Sequence, residues 1–355
     1  MPENQPPLNQ ALQHRRDELA AEIVQRQYKL QPDRWDPSAE EHHQKSLRDA
    51  GYHLDYLAQA AGAESPTLFR DYIAWVKEVF SRLGFSEEVL PTTLDLTRQV
   101  LKEHLAPDAY AQAERYLAAG QEQLAHADSL TPSALEGDHP LIPLAQEYLE
   151  LLLDGSRDQA SRLILQAVED GVAIQDLYLH VFQRTQHEIG RLWQINEISV
   201  AHEHYCTAAT QLIMSQLYPQ ILSSKQVGRS LVMTCVNDEL HELGARMVAD
   251  FFEMEGWDTH YLGANTPAKD IISTLEERQP DLLGISTTIT FHLEKMSGLI
   301  QSVKGTSPIN QIPILVGGRP FNIDPELWRR VGADGGAADA RGAIRMGSQL
   351  AEAAG

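Results

Sequence analysis

The feature that most limits how this chain can fold is a change of hydrophobic period at Arg229. Beyond it, apolar strand-like runs at 230–236, 259–263, 282–288 and 313–317 alternate with helical spacing near 241–255, 267–278, 292–303 and 325–331. Parallel strands need a crossover of a dozen or more residues, usually a helix, so this alternation points to a parallel sheet. A shorter run near Asp334-Gly335-Gly336 supplies a fifth strand, and a last helix follows from Asp339. Residues 225–355 therefore read as a flavodoxin-like, doubly wound parallel sheet.

Upstream of Arg229 the pattern is helical throughout. Residues 8–30 and 39–61 carry helical spacing, and Gly62 lies just past the second stretch. Ser65-Pro66 caps a run to Gly84, with Leu68, Tyr72, Trp75, Val76, Val79 and Phe80 on its apolar face. Ser86 with Glu87-Glu88 opens another helix, and Pro107-Asp108 one more, which makes 1–127 an all-helical domain. Residues 128–140 mix polar residues with Pro and Gly and read as a linker. Residues 141–224 give helical stretches with short breaks at Gly155, Gly171 and Asn196, hence a four-helix bundle. The whole is a multidomain chain, α followed by α/β.

Composition removes several function classes. The 355 residues carry a formal charge of −21, a field that repels phosphate backbones and anionic lipids. No apolar run approaches the ~20 residues of a membrane span. Cys206 and Cys235 have no metal-binding spacing and read as small core residues. The first residues, Met1-Pro2-Glu3-Asn4-Gln5, lack a signal-peptide pattern, so a cytoplasmic protein is expected.

The chemistry concentrates where strands end. The run Ser230–Val236 leads into Glu239-Leu240-His241-Glu242-Leu243-Gly244. A histidine there reaches out of the carboxyl edge of the sheet, where open α/β sheets bind ligands. Glu239 can take one ring N–H and decide which nitrogen faces a metal. Gly244, without a Cβ, lets a bulky group approach the helix start. Further on, Ser286 and Thr288 close the third run, and Gly317-Gly318 the fourth. Together these resemble the cobalamin (vitamin B12) binding domains, whose motifs are Asp-x-His-x-x-Gly, Ser-x-Leu and Gly-Gly. Glu239 stands for the usual Asp and Thr288 for Leu, while Gly332-Ala333-Asp334-Gly335 resembles the strand-five region. The resemblance implies His241 as lower axial ligand of cobalt, with Glu239, Gly244, Ser286, Thr288, Gly317 and Gly318 around the cofactor and its displaced nucleotide tail.

In the bundle, Trp193 precedes Glu203-His204 by ten residues, with Ser199 as N-cap between them. This stretch resembles the Trp-x9-Glu-His motif of light-sensing, adenosylcobalamin-dependent repressors. It implies adenosylcobalamin as cofactor, with Trp193, Glu203 and His204 at the upper corrin face. It also implies light-driven breakage of the Co–C bond, a light-dependent homo-oligomer and a separate effector protein. One departure is Gln194, where those repressors carry a His; water, His187, His202 or His204 then remain as caps. The N-terminal helices resemble the globin-like domain of the photocobilin group, which holds a bilin beside a B12 module. That implies biliverdin, bound noncovalently because 1–127 has no cysteine, near His42, His43, His53, Tyr52, Tyr56 and Trp75. Haem on His42, His43 or His53 competes with it, as does a plain helical docking domain. The alternative from another class is a corrinoid carrier protein for methyl transfer, which leaves its upper face open to a partner enzyme. No nucleophile with its base and no phosphate loop is present, so a non-enzyme is expected.

Overall fold

The computed structural model describes residues 6–30, 40–126, 131–222 and 225–354. Residue 39, with which the second helical stretch was expected to begin, lies outside them, as do 128–130 of the linker and 223–224 of the bundle. The elements are α1 (Leu8–His14), α2 (Arg16–Leu30), α3 (Glu40–Gly62), α4 (Pro66–Arg82), α5 (Val89–His104) and α6 (Pro107–Ala125). Next come α7 (Ile142–Leu153), α8 (Arg157–Glu169), α9 (Ile174–Leu177), α10 (Gln183–Gln194), α11 (Val200–Gln216) and α12 (Tyr218–Ile221). A π-helical turn, Tyr178–Phe182, joins α9 to α10.

The sheet follows as β1 (Ser230–Cys235), α13 (Leu243–Met254), β2 (Asp258–Gly263), α14 (Ala268–Arg278), β3 (Leu282–Ser286) and α15 (Leu293–Lys304). It ends with β4 (Ile314–Gly317), α16 (Arg319–Ile323), α17 (Leu327–Arg330), β5 (Gly335–Ala337) and α18 (Ala340–Ala354). All pairings are parallel and the strand order is β2-β1-β3-β4-β5, the flavodoxin order. Helical N-terminal region and five-stranded parallel sheet are both as the sequence implies.

Chain contacts divide the molecule into two compact units that cut across the sequence. One unit takes the six N-terminal helices together with 287–301 and 319–332; the other takes the bundle, all five strands and the remaining helices. In the first unit α4 and α6 lie close at Gly120, where an added Cβ would meet Phe69 and Ile73 at 3.0 Å. The same unit is tied by Arg330 Nε donating to Ala63 O (2.9 Å) and by Arg319 on Asp71 (2.9 Å).

In the second unit the bundle turns are set by local chemistry. At each of the three breaks a left-handed residue follows the helix: Gly155 (φ 77°), Gly171 (φ 93°) and Asn196 (φ 60°). Each then closes the paired hydrogen bonds of a Schellman motif, as in Ser156 N–H to Leu151 O (2.8 Å) with Gly155 N–H to Leu152 O (3.1 Å). The bundle and sheet are joined through α13. Phe251 belongs to the bundle core with Tyr178 and Phe182, and Phe252, the next residue, to the sheet core with Leu231 and Trp257. Each buried ring contributes about 1.5–3 kcal/mol.

Two expectations need adjusting. The third strand stops at Ser286, so Thr287 and Thr288 lie past it. The β-branched Thr-Thr-Ile run has strand propensity, but β4, its pairing partner, ends opposite Ser286 at Gly317, and Gly318 follows with φ 108°. The helical stretch near 325–331 is shorter, α17 alone, with α16 a separate turn before it.

Candidate corrinoid site

β1 is buried almost along its length and delivers the chain to the carboxyl edge of the sheet. There Asp238, in the left-handed region (φ 67°), turns it back over the strand ends. Glu239 is completely buried. Its Oε1 accepts the backbone N–H of His241 at 2.9 Å and lies 2.6 Å from His241 Nδ1. One carboxylate oxygen thus holds both the backbone and the ring of the histidine, and Nε2 is the nitrogen left for a metal. Donation to the Glu239 carboxylate holds the His241 imidazole above its usual pKa range, against burial, and Glu203 adds to the effect through space. Glu203, on α11, therefore sits within electrostatic reach of the ring. Gly244 opens α13, and a Cβ built there meets nothing within 4 Å, which leaves the helix start clear.

The register lines up the next residues. Cys235 pairs with Ser286, Ser286 with Gly317 and Gly317 with Ala337, one row across four strand ends. Ser286 and Gly317 are thus brought together beside the end of β1. Thr288 belongs to the other compact unit. Cys235 and Cys206 are buried thiols, pushed by burial up to about 12 and about 11.

Trp193 lies in the last turn of α10, and the Asn196 closure fixes that turn. Its indole is 41% exposed, a large apolar surface left open beside the bundle. Ser199 caps α11 and is engaged by His202 Nδ1 at 2.8 Å. Glu203 Oε2 lies 2.5 Å from His204 Nδ1, and its Oε1 is 3.1 Å from the Thr207 hydroxyl, which in turn reaches Gln186 Oε1 at 3.1 Å. His187 is exposed on α10.

The N-terminal candidates fall into two groups. His53 is buried with Nδ1 2.8 Å from Tyr72 OH, and Tyr72 stacks on Tyr56 at 3.8 Å and lies near Trp75 at 6.3 Å. Tyr52 is exposed one residue before His53. His42 and His43 lie about 16 Å away along α3, ten or eleven residues at 1.5 Å each, where His43 contacts Tyr28. Burial pushes His53 down to about 4, so it is neutral at physiological pH.

The sequence reading passed over Glu242. Its carboxylate accepts Gln211 Nε2 (2.8 Å), Tyr261 OH (3.2 Å) and the Ala264 N–H (3.0 Å), so it joins α11, β2 and the loop after β2. Carboxylates are common on helix starts, and nothing in its local spacing marks it out. Among the described residues no group of three or more His, Cys, Asp or Glu could hold a metal ion. No helix is long and apolar enough to cross a membrane among the described residues.

Residues 229–345 match the model of a B12 binding domain, and residues 144–218 match a second B12 binding domain model. A corrinoid protein of Desulfitobacterium hafniense is 22% identical over 215 residues, 59% of this chain and 98% of the relative. A dimethylamine corrinoid protein of Methanosarcina barkeri is 25% identical over 138 residues, 39% of this chain and 63% of its own. The monomethylamine corrinoid protein of the same organism superposes with a TM-score of 0.52 at 16% identity, over 60% of this chain and 99% of that one. Both family models begin after the six N-terminal helices.

These findings correct the sequence reading. The relatives are corrinoid proteins, two of them named for methylamines, and that overturns the expectation of a light sensor with Co–C photolysis and a bilin. The expected light-dependent homo-oligomer falls with it. The motif misled because a Glu in a first helical turn, as Glu203 is in α11, is favoured by the helix dipole whatever the helix does. Residues 144–218 and 229–345 are B12-binding domains, and the cofactor they take is a corrinoid.

Proposed function

We propose that this chain is a corrinoid carrier protein for methyl transfer, working with separate methyltransferase partners. The Glu239–His241 pair carries this reading: a fully buried carboxylate locks Nδ1 of a half-exposed histidine and leaves Nε2 facing out. A corrinoid bound there supplies a cobalt centre that accepts a methyl group and gives it up again. His241 would hold the cobalt through Nε2, and Glu239 would keep the shared proton at Nδ1 so that Nε2 stays a lone-pair donor. Gly244 leaves room beside the ring, and the Ser286–Gly317 row with Gly318 would line a slot for the nucleotide tail. Trp193 and the Glu203–His204 pair would face the cofactor from the bundle. Their exposure suits a surface that a partner enzyme must reach. The names of the methylamine relatives support methylated amines as the source of the methyl group in their systems, and a methylated small molecule as the class here.

The test is reconstitution with methylcobalamin, followed by absorption spectroscopy with an added corrinoid-dependent methyltransferase and its acceptor. Loss of the methyl-form spectrum only when enzyme and acceptor are both present supports the carrier. A bound cofactor whose methyl group no methyltransferase removes overturns it.

A further inference from the structure

At the end of β2 the chain comes against the loop that carries His241. The β1–β2 register shifts between Met233 and Thr234, so that Met233 faces Tyr261 but Thr234 faces Gly263. That extra residue on β2 is a bulge, and bulges re-aim the chain at sheet ends. Gly263 follows with φ 81°, and a Cβ on it would stand 3.1 Å from Glu242 Oε2. The next two residues then lie against the loop that carries His241. Asn265 donates its N–H to Glu239 O at 3.0 Å, and its side-chain Oδ1 accepts the Asp238 N–H at 2.8 Å. Ala264 N–H reaches Glu242 Oε2 at 3.0 Å. Residues 238 and 239 are gripped before the histidine and residue 242 after it. To make this grip Asn265 adopts the left-handed region (φ 52°), which Asn tolerates better than most residues.

We propose that Asn265, seconded by Glu242, is a positioning residue that sets the reach of His241 toward the corrinoid. This inference rests on His241 being the cobalt ligand. The Glu239 carboxylate orients the ring, but it is carried by the same short loop and moves with it. Asn265 and Glu242 tie that loop to β2 and to α11 (through Gln211), elements fixed by the cores of the sheet and bundle. Tyr261 OH, which donates to Glu242 O at 3.1 Å, adds a further tie from β2 at the far end of the loop.

The experiment compares wild-type protein with Asn265→Ala, Asn265→Gly and Asn265→Asp. Each is reconstituted with hydroxocobinamide, which carries no nucleotide base of its own, and reduced to the Co(II) form. The EPR splitting from an axial nitrogen reports how much cofactor is ligated by the histidine, and apo-protein melting reports the fold. The Ala and Gly variants lose most of the nitrogen splitting and bind the cofactor about 10-fold more weakly, the usual range for groups supporting a metal ligand. Gly restores the left-handed backbone without the amide, so its failure alongside Ala assigns the effect to the side chain. Asp, which can still accept the Asp238 N–H, recovers the splitting. Unchanged splitting and affinity in Asn265→Ala, at an unchanged melting temperature, overturn the proposal. The His241→Ala protein separates the two layers. If wild type and His241→Ala give the same spectrum, the His241 reading itself fails.

Discussion

Two carboxylate–histidine pairs face the same region, and they are built differently. In the Glu239–His241 pair the carboxylate is fully buried and the ring half-exposed, at 0% and 53%. In the Glu203–His204 pair both partners are open, at 30% and 74%. Both put a carboxylate oxygen on Nδ1, at 2.6 and 2.5 Å. The difference lies in what holds the carboxylate. Glu239 also binds the backbone of His241, and its own carbonyl is held by Asn265, so the ring has little freedom. His204 hangs from the surface of α11, and an exposed ion pair gains little because water screens it and side-chain entropy opposes it. The first pair can hold a metal at a fixed distance. The second can yield to whatever approaches.

The largest break of this comparison is His241→Ala. Removing the ring nitrogen that faces the cobalt position should lower corrinoid affinity about 100-fold or more, beyond the 10–100-fold usual for supporting groups, and abolish the histidine's nitrogen splitting. Equilibrium dialysis against hydroxocobalamin measures it. Glu239→Gln comes next, with affinity down about 10–100-fold. Gln keeps the size but presents a neutral acceptor, so the His241 pKa should fall toward its ordinary value, read by NMR titration of the apo-protein. His204→Ala should be the mildest of the three, with affinity within about 2-fold of wild type, as befits an exposed pair. An equal loss in His204→Ala and His241→Ala would erase the distinction drawn here.

Another buried carboxylate sharpens the point that surroundings decide what a carboxylate does. Asp250 on α13 accepts the Tyr178 hydroxyl at 2.8 Å, and burial raises it to about 6 against the opposing pull of Tyr178 and Arg246. Folding therefore raises this pKa, so the folded protein holds more protons than the unfolded chain between about 4 and about 6. The group's contribution is most favourable below that window and is lost as pH rises through it. Asp250→Asn should remove that slope and stabilise the fold above pH 6 by at most about 3 kcal/mol, about 2 pKa units of linkage. Thermal melts at pH 5 and pH 8 check the sign: the gain appears at pH 8 and shrinks at pH 5.

Much of the site was legible because its parts are close in sequence. Glu239 and His241 are two residues apart, and the loop between a buried strand and a helix leaves them few arrangements. The three bundle turns were marked by Gly155, Gly171 and Asn196, residues that accept a left-handed backbone, and all three adopt it. Ser199 was readable as an N-cap for the same local reason. Function was less legible, since the Trp193 and Glu203-His204 spacing is local helix chemistry that does not say what reacts nearby. Asn265 was invisible as well. It lies 24 residues beyond His241, and an Asn before a helix usually signals only a turn.

The sequence by itself determined the order of strands and helices, the parallel class of sheet and the chemistry of the His241 loop. Each of these follows from periods and spacings within about ten residues, where chain connectivity leaves little to choose. Only the tertiary structure decided that Ser286 and Gly317 share one row with the end of β1 while Thr288 does not. It also decided that a bulge in β2 carries Asn265 onto the histidine loop, and that Glu203 comes within electrostatic reach of His241. Those relations depend on register between strands and on how two cores meet through Phe251 and Phe252. A hydrophobic pattern shows which face of a strand or helix is buried, but not which residue on the neighbouring element it will meet.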